Sequence, residues 1–227
     1  MILVPGPLDP PAGRLLDALA AAGETLVTGA ASLPAGGEPV TIAVSTGPFV
    51  FDFVGLVAAL GPRPFRVLAL SRLGAHPDAR HPALQRLWRL EEHLRGGGAP
   101  TLTLRFAPLL GAATPLWRRL RSRPALPRGG RHVLNPVAEQ DALETLRRAL
   151  DGRAGWKGWF EVAGPEAWSL AELRDLAVCA GPALDAGAWE PPLEEMAEHR
   201  LAECEPWASH FGIAPAGVAA CVAEAVA

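Results

Sequence analysis

The sequence predicts an α/β protein built on a doubly wound parallel sheet, with helices on both faces and a small C-terminal lobe. Three observations carry that expectation. The stretch 66–111 reads as strand, loop, amphipathic helix, Gly-rich stop and strand. Within it Val67, Leu68, Ala69 and Leu70 form the short apolar run of a buried parallel strand. Leu84, Leu87, Trp88 and Leu94 recur at helical spacing, Gly96-Gly97-Gly98 stops the helix, and Leu102, Leu104 and Phe106 alternate into a second strand. A strand–helix–strand unit of this size is a right-handed crossover. Finally, the same alternation recurs upstream, which implies a sheet wound in both directions.

Taken in order, residues 1–4 are a short apolar strand, followed by a helix with Ala12, Leu15, Leu16 and Leu19 on one face and Gly23 as its stop. Residues 25–27 make a second strand, and 30–39 a Gly/Pro/Ser loop. Residues 40–44 make a third strand ending in Ser45-Thr46-Gly47, and Phe51, Val54, Val57 and Leu60 outline a helix before the strand at 66–70. Beyond Pro108 the pattern loosens: a short helix at 116–120, a Pro/Gly-broken stretch to 130, a strand at 133–134 and a helix at 138–150 with Leu143, Leu146 and Leu150 inward. A strand follows at 160–162. Ser169 with Glu172 three residues on is a capping box. The tail from 184 is helical in places, acidic around 190–205, and ends in an Ala/Val helix from 215. No linker cuts the chain, so a single domain over 1–227 is expected, with a small lobe from about 109–132 and 184–227.

Composition narrows the chemistry. Of 227 residues, 49% are hydrophobic, enough for one α/β domain. The net charge of −3 gives no global attraction to nucleic acid or an acidic membrane. No stretch reads as a signal peptide or membrane span. The three cysteines lack metal-ligand spacing and point to reduced thiols in the cytoplasm. There is no tyrosine, which excludes any mechanism needing a phenol of this chain, and lysine occurs only at Lys157.

Ligands of such sheets bind at the carboxyl ends of the strands. That places Ser71 and Arg72, and Arg105, Phe106, Ala107 and Pro108, where a ligand would lie. Glu91 falls near the centre of the apolar helix face, either as a general base or as a structural carboxylate bonded to backbone or arginine. Six arginines (Arg118, Arg119, Arg121, Arg123, Arg128 and Arg131) fall within 14 residues, a candidate anion or substrate surface or a solvated loop. Together with the strand-end arginines this makes Arg72, Arg105, Arg118, Arg119 and Arg121 the candidate anion or substrate residues. His76 and His81 flank Asp78 without a ligand set, and no metal is expected. Trp156 and Trp159 around Lys157 offer a stacking site or packing.

The order of these segments resembles the atypical and extended short-chain dehydrogenase/reductase group, the NmrA-like and epimerase-like NAD(P)-binding proteins. Ser71-Arg72-Leu73-Gly74-Ala75 is similar to the family's Ser-Ser-x-Gly-Ala. Glu91, Leu94-Arg95, Leu104-Arg105-Phe106-Ala107-Pro108 and Gly111 are similar to its E-x-x-L-R … L-R-P … G run. Asn135-Pro136-Val137 with Asp141, and Phe160-Glu161-Val162-Ala163-Gly164-Pro165 with Ser169-Leu170, resemble two further segments. The resemblance implies a Rossmann-like fold and a dinucleotide near Gly6, Pro7, Asp9, Gly13, Thr28, Ser45, Thr46, Gly47, Ser71, Phe106, Ala107 and Pro108.

Two departures set this chain apart from that pattern. The family's Tyr-x-x-x-Lys, in which a lysine tunes a phenol for proton transfer, falls on Ala83 and Leu87 when counted back from Glu91. Neither exchanges a proton. The phosphate loop, which needs glycines and free N–H groups, reads Gly6-Pro7-Leu8-Asp9-Pro10-Pro11-Ala12-Gly13. Asp9 and Ala12 replace two glycines, Pro10 and Pro11 delete two donors, and a carboxylate about 4 Å from a phosphate costs on the order of 1–4 kcal/mol. NAD(P) binding is therefore expected to be weak or absent. The leading expectation is a degenerate, non-catalytic ligand-sensing, regulatory or scaffold protein, free to form a homodimer. The alternative is an oxidoreductase or epimerase-like enzyme whose proton relay is rearranged onto catalytic residues Ser71 and Glu91. The expected partner is a small molecule or dinucleotide, not nucleic acid or membrane.

Overall fold

The computed structural model describes residues 1–6, 8, 10–28, 38–45, 53–152, 155–156, 158–180 and 193–223. In chain order the elements are β1 (Ile2–Val4), α1 (Pro10–Ala21), β2 (Leu26–Thr28), β3 (Val40–Ser45), α2 (Phe53–Leu60), β4 (Phe65–Arg72), α3 (Pro82–Gly96) and β5 (Thr101–Phe106). There follow β6 (Leu109–Leu110), α4 (Pro115–Arg121), a 3-10 turn (Pro127–Gly130), β7 (Val133–Leu134), β8 (Val137–Ala138), α5 (Glu139–Leu150) and β9 (Gly158–Val162). The last are β10 (Trp168–Ser169), α6 (Leu170–Cys179), a 3-10 turn (Leu193–Met196), α7 (Glu205–Phe211) and α8 (Val218–Ala223).

Six strands form the central sheet in the order β2-β1-β3-β4-β5-β9. β1 pairs in parallel with β2 (Leu3 opposite Val27) and with β3 (Leu3 opposite Ile42), and β3 with β4 (Ala43 opposite Leu68). The chain thus starts in the middle, winds outward to β2, then returns to build the other side, and the switch point lies between β1 and β3. The doubly wound Rossmann-like expectation holds. β4 is longer than the apolar run suggests: Ser71 and Arg72 are its last two residues and do not belong to the loop after it. The strand continues because it stays paired past the apolar residues, and Leu73 N–H then donates to the Phe106 carbonyl at 2.8 Å.

The chain divides into two compact units. One comprises Met1–Ser71, Ala75–Leu104 and Ala149–Trp159, the other Arg72–Gly74, Arg105–Arg148 and Phe160–Ala227. In the first, Leu3, Ile42, Val44, Leu56, Leu60, Val67, Ala69 and Leu94 form one core cluster. Leu84 and Leu87 join Ala75 and Ala79 in a second, with Trp88 against it. α3 begins where His81 Nδ1 accepts the Ala83 N–H at 3.3 Å and Pro82 fills the first turn, which needs no donor there. His81 is thus a helix cap. The segment 149–159 is fastened by Arg66, whose Nη2 donates to the Leu150 carbonyl (2.7 Å) and Nε to Thr41 Oγ1 (3.0 Å). The guanidinium lies 3.8 Å over the Trp156 ring, and burial pushes its pKa down. Trp156 therefore stacks on a residue of its own chain; Lys157 lies outside the described residues, and Trp159 is exposed.

In the second unit Leu110, Leu116, Trp117, Leu120, Leu134, Leu170, Leu173, Met196, Val218 and Val222 share one core. The capping box is present: Glu172 N–H donates to Ser169 Oγ and Ser169 N–H to Glu172 Oε2, bonds that hold the Glu172 carboxyl below its usual range. On α5 the buried stripe is Ala142, Thr145, Leu146 and Ala149, so Leu143 and Leu150 flank the core instead of pointing into it. The C-terminal stretch is clipped by two carboxylates: Asp141 Oδ2 accepts the Ala216 N–H at 2.8 Å, and Glu166 Oε2 the Val218 N–H at 2.9 Å. No described helix is long and apolar enough to cross a membrane.

Candidate functional site

The end of β4 and the middle of α3 bring Ser71 and Glu91 together. Ser71 Oγ donates to Glu91 Oε1 at 2.5 Å, and the two residues are 4% and 1% exposed. Helical spacing puts Glu91 on the same face as Leu84, Leu87 and Leu94, all buried. A carboxylate among leucines needs a donor, and the hydroxyl at the strand end supplies one. Beside the backbone or arginine that the sequence offers as partners, the Ser71 hydroxyl is a donor that spacing alone does not suggest.

Ala83 and Leu87 occupy the first two turns of the same helix. Leu87 is 1% exposed and part of the apolar cluster with Leu84, Ala75 and Ala79, so the position that the resemblance gives to a lysine is a packing position here.

At the first helix, α1 begins at Pro10, so its first two residues carry no backbone N–H where an anion would be received. A Cβ added at Gly6 would meet nothing within 4 Å, and one at Gly13 would make an ordinary 3.9 Å contact with Leu8. Ala12, in place of the glycine that lets helix and strand approach closely, is buried. Among the described positions of the loop, Pro10 and Pro11 contribute no N–H donor to an anion. Pro7, Asp9, Thr46 and Gly47 lie outside the described residues, Thr28 is exposed and Ser45 half-buried. After β5, Ala107 N–H donates to the Val162 carbonyl (2.9 Å) and the Pro108 carbonyl accepts the Val137 N–H (3.1 Å), so this stretch is held by backbone bonding.

The arginines separate into groups. Arg118 is exposed on α4, with Arg119 half-buried and Arg121 buried beside it. Arg105 is buried and faces Glu161 at 3.7 Å. Arg72 Nη1 pairs with Glu195 Oε2 at 2.5 Å, and Arg200 Nη2 donates to the Glu195 carbonyl. Burial pushes the Arg200 guanidinium down to about 10 and the Arg72 charge adds to that, while Glu195 and Glu198 pull it up. Glu195 and Arg200 are the site residues that sequence reading misses. Their only signal is a carboxylate between Leu193 and Met196, both buried. His76 and Asp78 form an exposed 3.7 Å pair, and no group of three metal-ligating side chains occurs among the described residues.

No family model matches the chain and no curated protein matches it in sequence. Solved structures match in shape. MoeE5 in complex with UDP-glucose and NAD superposes with a TM-score of 0.66 at 16% identity, over 99% of this chain and 97% of that one. UDP-glucose 4-epimerase of Thermus thermophilus in complex with NAD gives 0.63 at 16%, over 94% and 93%. A short-chain dehydrogenase/reductase superfamily protein from Agrobacterium tumefaciens with bound NAD gives 0.61 at 16%, over 100% and 96%. The fold of this chain is that of the epimerase-like, NAD-binding Rossmann proteins.

Proposed function

We propose that this chain uses an epimerase-type Rossmann fold to bind a small molecule without the hydride and proton chemistry of its structural neighbours. In this reading it serves as a ligand-sensing, regulatory or scaffold protein that holds NAD(P) weakly or not at all. The carrying observation is α3: the pair of positions expected to move a proton is Ala83 and a fully buried Leu87, in a chain with no tyrosine. Pro10 and Pro11 at the start of α1 support the same reading, because they remove donors from the place where a pyrophosphate needs them. Three free cysteines fit a reducing cytoplasm. A homodimer remains the self-association this reading allows.

Calorimetric and tryptophan-fluorescence titrations with NAD+, NADH, NADP+ and NADPH test it. The expected result is no saturation in the micromolar range; low-micromolar binding of any of the four overturns the cofactor half of the proposal. A second reading is favoured by one observation, the 2.5 Å Ser71–Glu91 bond. In an enzyme with a rearranged relay, Glu91 would take the proton that Ser71 relays from a substrate hydroxyl. Hydride transfer or epimerisation of a nucleotide sugar by the wild-type protein, lost in Ser71→Ala and in Glu91→Gln variants that remain folded, would establish that enzyme and replace the first reading.

A further inference from the structure

The second unit buries more positive than negative charge. Arg105, Arg121 and Arg200 are each at most 9% exposed, and the Arg72 side chain is 14% exposed. Among the described residues of this unit, Glu195 is the one acidic residue in the buried class. A buried charge is costly unless it is paired, and Glu195 is where two of these arginines converge. Arg72 meets its carboxylate end-on at 2.5 Å, and Arg200 reaches its backbone carbonyl. Arg200 Nε finds no hydrogen-bond acceptor among the described residues. Arg200 Nε is therefore donor capacity left over beside that carboxylate, of the kind an oxyanion accepts.

Glu195 also arrives on a weak support. It sits in a single 3-10 turn, Leu193–Met196, held by Leu193 and Met196 in the core and by an Ala197 N–H to Glu194 carbonyl bond of 3.1 Å. The arginines stand on firmer ground. Arg72 ends β4, and Arg200 is bridged to Leu134 of β7, its N–H donating to the Val133 carbonyl (2.9 Å) and its carbonyl accepting the Asn135 N–H (3.2 Å). The arginines thus stand on strand and bridge bonding, and the carboxylate on a single four-residue turn.

We propose that Arg72 and Arg200 form an anion site that the protein occupies with its own Glu195, and that an external oxyanion of the phosphate or carboxylate class binds by displacing the turn Leu193–Met196. The site is self-inhibited, and its ligand reports its presence by releasing that turn. The proposal gives a ligand chemistry and a regulatory device to the sensing role above and rests on that role only in needing a ligand. Its probes carry no nicotinamide or adenine and its variants are at Arg72 and Glu195, so its failure is distinguishable from failure of the NAD(P) reading.

Binding of inorganic phosphate, pyrophosphate and succinate, measured by calorimetry on the full chain, tests the site and separates phosphate from carboxylate as the preferred chemistry. Glu195→Gln removes the competing charge but keeps the shape. It is expected to bind at least one of the three roughly tenfold or more tightly than wild type, since a like charge at ion-pair distance opposes any incoming anion. Arg72→Ala combined with Glu195→Gln is expected to lose that gain. Equal affinity in wild type and Glu195→Gln, or a gain that survives loss of Arg72, overturns the proposal. Should Glu195→Gln fail to fold, the wild type decides alone: a Glu-specific protease is expected to cut after Glu194 or Glu195 several-fold faster with the tightest of the three anions. Unchanged or slower cleavage overturns it.

Discussion

Ser71→Ala tests what the buried Ser71–Glu91 pair does for the first unit. The substitution removes one hydroxyl donor from a carboxylate that is 1% exposed, with Leu84, Leu87 and Leu94 on the same helix face. A hydrogen bond to a charged acceptor contributes about 1.5–3 kcal/mol, and the greater loss lies in leaving the buried carboxylate short of a donor. With a melting-temperature shift of about 2–4 °C per kcal/mol for a chain of this length, the variant is expected to melt roughly 4–10 °C lower. Glu91→Met leaves the serine hydroxyl without its acceptor and is expected to cost about 1–2 kcal/mol. Removing both polar groups removes both penalties, so Ser71→Ala/Glu91→Met should be more stable than the sum of the singles by about 1–2 kcal/mol. Urea melts of the four proteins close the cycle. Additivity within about 0.5 kcal/mol would show that the two side chains are not energetically coupled, and the reading of Glu91 as a carboxylate stabilised by Ser71 would fall.

Leu87→Lys, which restores the residue type expected at that position, should lose about 3 kcal/mol or more of stability without gaining hydride transfer, because the ammonium would enter an apolar cluster with no partner; thermal melts and a nicotinamide absorbance assay check both halves. Gly164→Ala should lose about 3 kcal/mol, since a Cβ there would overlap the Pro136 carbonyl oxygen, a backbone atom that cannot swing aside as a side chain does; a denaturant melt within about 0.5 kcal/mol of wild type would contradict that packing. Burial raises the Asp141 carboxyl, against the lowering effect of the Ala216 N–H. A folded-state pKa above the unfolded one gives stability that is complete below the unfolded value and lost as pH rises through the folded value. The stability difference between Asp141→Asn and wild type should therefore shift in favour of the variant as pH rises from the ordinary aspartate range through the raised folded-state value, and a pH-independent difference would refute the sign.

Much of the fold is legible because local and global signals agree. The apolar run at Val67–Leu70 and the heptad-like leucines of α3 bury the residues their spacing predicts, and Ser169 with Glu172 caps α6 as the pair implies. What stays hidden needs the third dimension. Nothing in the spacing of Glu91 says that a serine twenty residues earlier will face it. The tail reads only as acidic, since no period separates Glu195 from Glu194 and Glu198, yet Glu195 is buried against an arginine 123 residues away. On α5, Ala142 and Ala149 line the core beside Leu146 while Leu143 and Leu150 stay half-buried, a division that apolar spacing alone does not give.

The two clips on the C-terminal stretch have a consequence for synthesis. Asp141 waits for a residue 75 positions later and Glu166 for one 52 positions later. The first unit draws on nothing beyond Trp159, so it has all of its pieces while the chain is still growing. The second needs Val218 and Val222 to finish its core, and until they emerge Leu110, Leu116, Trp117 and Leu134 have been made without the neighbours that will cover them. A ribosome stalled near residue 200 would present a closed first unit beside an adhesive, unfinished second one, the state in which a chaperone is most needed and in which a nascent chain is most easily captured by its own kind.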